Sequence, residues 1–326
     1  MKAIVITKPG NVDALEIKEV DEPTPPSGHV KIRTKAFGLN RAETYYRAGA
    51  FGEIKEPRIP GIEAVGEVAE DNSGKFRAGQ KVITAMGGLM LARHGSYAEY
   101  VIAPASNVVA VDTELSWEQL ATLPQAYLTI WGALDKNLNI QKGETLLVRG
   151  GTTTLGFAAI TYAKARGLKV VATTRSKSSV PLLTRQGADE VIIDDGDIAE
   201  KVRALFSGGV DCALEIIGAA TVKDTLKAVR QWGQVCVVGI LSGVVLKNFN
   251  FMSDLPNTVR LSFFSSSLFG SPQMPLSESP IQWIAEQVES KKMPSIISKV
   301  YEFDQIREAH RVIEDNQAPG KMVVRL

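Results

Sequence analysis

Two rhythms of apolar and polar positions divide this chain of 326 residues. Through about residue 120 the apolar positions come in short runs of period two, broken by Gly and Pro. "GHVKIRTKAFGLN" alternates in this way, "FRAGQKVI" reads as a turn feeding a strand, and "GSYAEYVIAP" as another strand. The opening "MKAIVITKPG" carries only a short apolar run before a lysine and a Pro-Gly break. A secretory signal needs a longer apolar region, so this segment reads as a first strand. The first part of the chain is therefore expected to be β-rich.

From about residue 124 the rhythm changes. "ETLLVRG" predicts a buried strand, and "LGFAAITYAKARG" has helical periodicity with Gly167 just past its end. "LKVVATTR" and "DEVIIDD" predict strands, with a short helix "SSVPLLTRQGA" between them. "DIAEKVRALFSGG" predicts a helix, and "VDCALEIIG" and "GQVCVVGIL" predict strands flanking a helix over "TVKDTLKAVRQ". Nearly all-apolar strands that alternate with helices imply a parallel sheet covered on both faces. Past residue 264, "SPIQWIAEQVESKK" is helical, "FDQIREAHRVIEDN" predicts a helix capped by Asp304, and "GKMVVRL" predicts a final strand. A nucleotide-binding domain is thus inserted into, or followed by the return of, a β-rich domain. The cleft between two such domains is the default place for a substrate.

Length alone predicts about two domains with ample material for a core. The residues are 44% hydrophobic and 22% charged, with formal net charge +1. That balance offers no nucleic-acid or membrane surface, and no stretch approaches the roughly 18 uncharged apolar residues that would span a bilayer. The two cysteines, Cys212 and Cys236, each lie in an apolar strand-like run and read as buried thiols, which suits a cytoplasmic protein.

The chemistry begins at "LLVRGGTTTLGFAAITYAKA", a strand turning into a helix. A dinucleotide turn needs three small residues: for the tight bend, for backbone approach to the pyrophosphate, and for packing helix on strand. Gly151 and Gly156 are spaced for the first and third, while Thr153 falls at the second. Hydroxyls of Thr152, Thr153 and Thr154 could donate to phosphate near the helix N-terminus, where the dipole favours an anion. The next strand ends in "VVATTRSKS". NAD enzymes place an acid there for the ribose 2′-hydroxyl, but no acid occurs between Lys169 and Leu183. Arg175, Ser176 and Lys177 offer a planar fork, a hydroxyl and an ammonium instead, which suits a 2′-phosphate. The cofactor expected is NADPH.

"AFGLNRAETYYRAG", "PGIEAVGEV", "GSYAEYV", "RGGTTTLG", "VVATTRS", "VVGILSG" and "GKMVVRL" together resemble the medium-chain dehydrogenases/reductases, specifically their zinc-independent quinone oxidoreductases, over nearly the full length. The resemblance implies an α/β fold: a Rossmann doubly wound parallel sheet over residues 124–264 plus a β-rich GroES-like catalytic domain over 1–123 and 265–326. Zinc-dependent relatives carry a cysteine in the segment corresponding to "FGLNRAE", where this chain has Asn40, and Gly-His-Glu where it has Gly61-Ile62-Glu63. A cysteine-rich structural zinc lobe is absent as well. His29, His94 and His310 are scattered, so no zinc site is expected. Glu63 is left with a structural role, tying backbone near the cleft.

Without zinc to polarise a carbonyl, easy alcohol oxidation is not expected. A quinone accepts hydride readily, so orienting it against the nicotinamide could supply much of the rate. By resemblance, Asn40 sits beside the nicotinamide and reaches the substrate pocket. Tyr45 either hydrogen-bonds the acceptor oxygen or is a plain wall residue. Leu155, Thr174 and Gly218 join the glycine-loop and basic residues as cofactor contacts, and Thr129, Gly239, Ile240 and Leu241 match segments along the nicotinamide half. Phe263 and Phe264 lie where the family's chain crosses toward the cofactor, or are core strand residues. The resemblance also implies a homodimer.

Two other functions stay open. One is reduction of an activated C=C bond, as in enones; its enoyl-thioester form calls for a tyrosine where this chain has Phe51, which cannot donate a proton. The other is a non-catalytic NADPH-binding structural or RNA-binding protein; the near-neutral charge argues against RNA binding.

Overall fold

A computed structural model of the chain describes residues 1–315 and 319–326. Asn316, the last residue of the helical "FDQIREAHRVIEDN" pattern, lies outside the described residues. Two compact units emerge. The first holds Met1–Gln125, Ser266–Ser290 and Ser295–Leu326, and the second Ala126–Ser265 with Lys291–Pro294.

The first unit opens with an antiparallel pair, β1 (Lys2–Val5) and β2 (Glu16–Glu19). The long strand β3 (His29–Gly38) follows, then α1 (Arg41–Arg47), β4 (Glu63–Asp71), β5 (Lys81–Ala85), β6 (Tyr100–Pro104), β7 (Val108–Ala110) and α2 (Trp117–Leu120). The period-two alternation of "HVKIRTKAFG" puts Val30, Ile32, Ala36 and Phe37 into the core.

The second unit begins near α3 (Pro124–Trp131) and winds through β8 (Thr145–Arg149), α4 (Thr154–Ala165), β9 (Lys169–Thr174), α5 (Val180–Gln186) and β10 (Glu190–Ile193). It continues with α6 (Ala199–Leu205), β11 (Val210–Glu215), α7 (Val222–Ala228), β12 (Val229–Val237), α8 (Phe251–Asp254) and β13 (Arg260–Phe263). All six strands are parallel, in the order β10-β9-β8-β11-β12-β13. Chain order reverses between β8 and β11, the doubly wound arrangement whose ligand crevice opens at the carboxyl ends of the strands. Cys212 and Cys236 are buried, unbridged thiols of this sheet.

The chain then returns to the first unit with α9 (Ile281–Glu289), β14 (Ile297–Glu302), α10 (Ile306–Glu314) and β15 (Lys321–Arg325). These complete a seven-stranded sheet, β14-β15-β3-β4-β5-β7, with β6 also pairing to β3.

Two expectations are corrected. Asp304 caps no helix: it sits inside a 3-10 turn, Phe303–Gln305, whose capping box is formed by Glu302 and Gln305. The helix over "TVKDTLKAVRQ" stops at Ala228, because β-branched Val229 turns extended and pairs with Val210. The register then jumps to Cys212↔Gln234, and Trp232 bulges outward at φ 64°.

Candidate functional site

Most of the expected cofactor residues gather at the carboxyl ends of the second unit's strands. β8 ends at Arg149, and the chain turns sharply at Gly150, whose φ of 98° only glycine adopts without strain. This glycine, not Gly151, makes the bend. Gly151 donates its N–H to the Thr173 carbonyl at 2.9 Å and lies close against β9. A Cβ at Gly156 would overlap the carbonyl oxygen of Gly150 and come within 2.5 Å of that of Gly151, so helix and strand meet here without room for a side chain. Leu155 is half-buried beside it in the first turn of α4.

Thr153 does something other than expected. Its hydroxyl donates to the Gly150 carbonyl at 2.8 Å and accepts the Gly156 N–H at 3.0 Å. It is the N-cap of α4 and has no proton left for a phosphate. Thr152, half-buried on the same turn, has no such commitment among the described residues. Thr154 begins the helix, also half-buried.

At the end of β9, Thr174 is buried and its hydroxyl accepts the Ser176 N–H at 3.2 Å. Arg175, Ser176 and Lys177 are exposed beyond it. The Ser176 hydroxyl pairs with that of Ser178 at 2.7 Å. Among the described residues neither Arg175 nor Lys177 forms an ion pair, so both cations face solvent uncompensated. An anion with several acceptor oxygens fits them.

Gly218 follows β11 with φ 102°, held by a 2.9 Å bond from its N–H to the fully buried Glu215. Gly239 packs so tightly that a Cβ would overlap the Ile216 carbonyl oxygen. Ile240 and Leu241 are exposed just beyond it. Phe263, the last residue of β13, is 62% exposed, while the neighbouring Phe264 is buried and donates its N–H to Val237. Thr129 is buried within α3.

Arg149 was not singled out from the sequence. Although fully buried, it binds Asp194 through two 2.9 Å bonds and Asp224 at 2.7 Å, joining the ends of β8 and β10 to α7. Burial opposes ionisation of Asp194, yet the guanidinium holds its carboxyl below the ordinary range. An arginine closing an apolar strand was the one available signal.

The first unit contains the other cluster. Asn40 leads into α1, and its backbone N–H donates to Glu43 at 2.7 Å. Its carboxamide nitrogen donates to Glu43 at 3.1 Å and to Glu63 at 2.8 Å, and its oxygen accepts from Lys321 at 2.8 Å. Lys321 also pairs with Glu63, whose second oxygen accepts the Gln125 N–H at 2.7 Å. Glu63 thus ties backbone and binds two side chains besides. Burial pushes the Glu43 carboxyl up to about 7, with Lys321 and Asn40 pulling it back and Glu63 adding to the rise. Tyr45 is half-buried on α1, and among the described residues its hydroxyl meets no hydrogen-bond partner. Phe51 is exposed, its ring 6.4 Å from that of Tyr46.

Zinc does not fit these residues. Both oxygens of Glu63 are committed, one to a buried ammonium, and the two thiols lie inside the other unit's sheet. Among the described residues no three His, Cys, Asp or Glu side chains group as a metal would require. His310 is buried between Arg47 and Tyr97, at 3.2 Å from each, and burial pushes its ring down to about 3, so it stays neutral.

Comparisons with known proteins agree with this architecture. The alcohol dehydrogenase GroES-like domain family matches residues 26–113, and the zinc-binding dehydrogenase family matches residues 154–283. The quinone oxidoreductase of Homo sapiens is 26% identical over 333 aligned positions, covering 100% of this chain and 98% of that protein. A 2-haloacrylate reductase of Burkholderia sp is also 26% identical, over 99% of this chain and 98% of its own. Among solved structures, a mycobacterial protein complexed with NADPH superposes with TM-score 0.86 at 25% identity, covering 100% of both chains. With a GroES-like β-rich unit, a doubly wound parallel sheet and relatives aligned from end to end, the chain belongs to the medium-chain dehydrogenase/reductase superfamily.

Proposed function

We propose that this chain is an NADPH-dependent reductase of quinones that works without a metal. The observation that carries the cofactor reading is the pair of uncompensated cations, Arg175 and Lys177, one strand beyond a glycine turn that has no room for side chains. Gly150, Gly151 and Gly156 would let backbone approach a pyrophosphate at the N-terminus of α4, and Thr152 offers a free hydroxyl. Arg175 and Lys177 would hold a 2′-phosphate. When bound, NADPH supplies a hydride from its nicotinamide.

On the acceptor's side, Tyr45 has a hydroxyl free to donate to a quinone oxygen, and Asn40 is held rigidly a turn earlier. No side-chain nucleophile is needed, because the reduced oxygen of a quinone is a stabilised phenolate. The human relative's name supports a quinone acceptor. The same reading makes the protein cytoplasmic and a homodimer, supported by the unbridged thiols and by the exposed Leu261 and Phe263 on the edge strand β13.

The test is cofactor affinity in an Arg175→Ala, Lys177→Ala variant, read by nicotinamide fluorescence. Each charge-assisted contact should be worth about tenfold in NADPH affinity, while NADH binding stays unchanged. Equal effects on both cofactors would refute the 2′-phosphate role.

A second reading, reduction of an activated C=C bond, is favoured by the 2-haloacrylate reductase among the relatives. Turnover of a simple quinone against a small enone at equal concentration separates the two.

A further inference from the structure

Three fully buried charged side chains, Glu43, Glu63 and Lys321, converge on one half-buried amide, Asn40. The amide's orientation is dictated by charge. Turned over, it would aim its N–H groups at an ammonium and its oxygen at two carboxylates. A carboxamide has two N–H donors and two oxygen lone pairs. Both donors are consumed, at 3.1 Å to Glu43 and 2.8 Å to Glu63, and one lone pair accepts from Lys321 at 2.8 Å. The neighbouring Glu43 N–H goes to the Asn40 backbone carbonyl at 3.3 Å, not to the side chain, so a single Oδ1 lone pair remains.

The fold makes room for this lysine deliberately. Gly38, at the end of β3, lies so near that a Cβ there would overlap Lys321 Cε and come within 2.5 Å of Glu63 Oε1. Without the ammonium, two carboxylates would share a buried space with no cation, an arrangement that costs heavily.

We propose that Lys321 is a positioning residue which, with Glu43 and Glu63, locks the Asn40 carboxamide so that toward a bound ligand it only accepts a hydrogen bond. The ligand group that meets Asn40 therefore carries an O–H or N–H, and a bare carbonyl oxygen must be held by another donor, such as Tyr45. This assignment deepens the reductase reading and rests on it only for the nature of the ligand.

The test is made first on the unaltered protein with ¹⁵N-asparagine labelling, the Asn40 amide signals being those lost in Asn40→Ala. Both Nδ2 protons should exchange with solvent at least about a hundredfold more slowly than those of an exposed asparagine. Saturating NADPH should leave both protected. Exchange as fast as an exposed side chain, or release of either proton on adding NADPH, overturns the proposal.

Kinetics give an independent arm. Lys321→Met should lower kcat about tenfold or more with a smaller change in KM for the acceptor, and should add no further loss in an Asn40→Ala background. Additive losses would show that Lys321 does not act through Asn40. Should Lys321→Met fail to fold, the exchange measurement decides alone. Protected amide protons in a protein that reduces no acceptor would sink the reductase reading and leave this one standing.

Discussion

Glu43 is the residue whose environment most directly links structure to a measurable titration. It faces Lys321, Glu63, Asn40 and the buried Tyr97, and burial raises its carboxyl from 4.5 to about 7. An acid whose pKa rises on folding keeps a proton that the unfolded chain has already released. Its contribution to stability is therefore intact below about pH 4.5, falls as pH rises, and is fully lost above about 7. The change amounts to about 3 kcal/mol at most. Urea unfolding of the unaltered protein and Glu43→Gln at pH 5 and pH 8 checks this: the difference in stability should shift against the glutamate at the higher pH. A difference constant with pH would contradict it. Gly156 makes a simpler prediction at the same scale. Gly156→Ala should lower stability by more than about 1 kcal/mol and abolish NADPH binding, because the added methyl has only backbone to displace.

At the scale of elements, the start of α4 separates capping from ligand binding. Thr153→Ala should cost about 1 kcal/mol in unfolding free energy, as loss of an N-cap does, and Thr153→Ser should restore most of it. Thr152→Val should leave stability nearly unchanged and weaken NADPH. The reverse pattern in melting and cofactor titrations would exchange the roles assigned to the two threonines. The strand, turn and helix of "LLVRGGTTTLGFAAITYAKA" were plain in its apolar pattern. Which glycine bends and which hydroxyl caps were not, because both depend on backbone dihedrals that pattern does not encode. "TVKDTLKAVRQ" misled for a related reason: local helical periodicity ran on past the point where pairing with Val210 took the chain into the sheet.

At the scale of the whole molecule, "GKMVVRL" shows what sequence alone could not reach. It read as a final strand, and β15 forms there, but the value of Lys321 comes from partners 258 and 281 residues away, Glu63 and Asn40. No local spacing announces such a meeting. The missing cysteine and histidine in the corresponding segments were legible; the buried network in their place was not. The edge strand β13 carries a prediction of its own. Phe263→Lys with Leu261→Lys should convert a dimer into a monomer in sedimentation velocity without unfolding it, because both side chains are exposed in the single chain. A monomer from the outset would remove the dimer from the account.

The most direct test of the central claim uses purified, metal-stripped protein mixed with NADPH or NADH and a simple quinone, followed by loss of nicotinamide absorbance. Quinone-dependent oxidation of NADPH is expected, with NADH slower by about tenfold or more at limiting concentration and no gain on adding zinc. NADPH that binds and is never consumed, or activity that appears only with zinc, would contradict it.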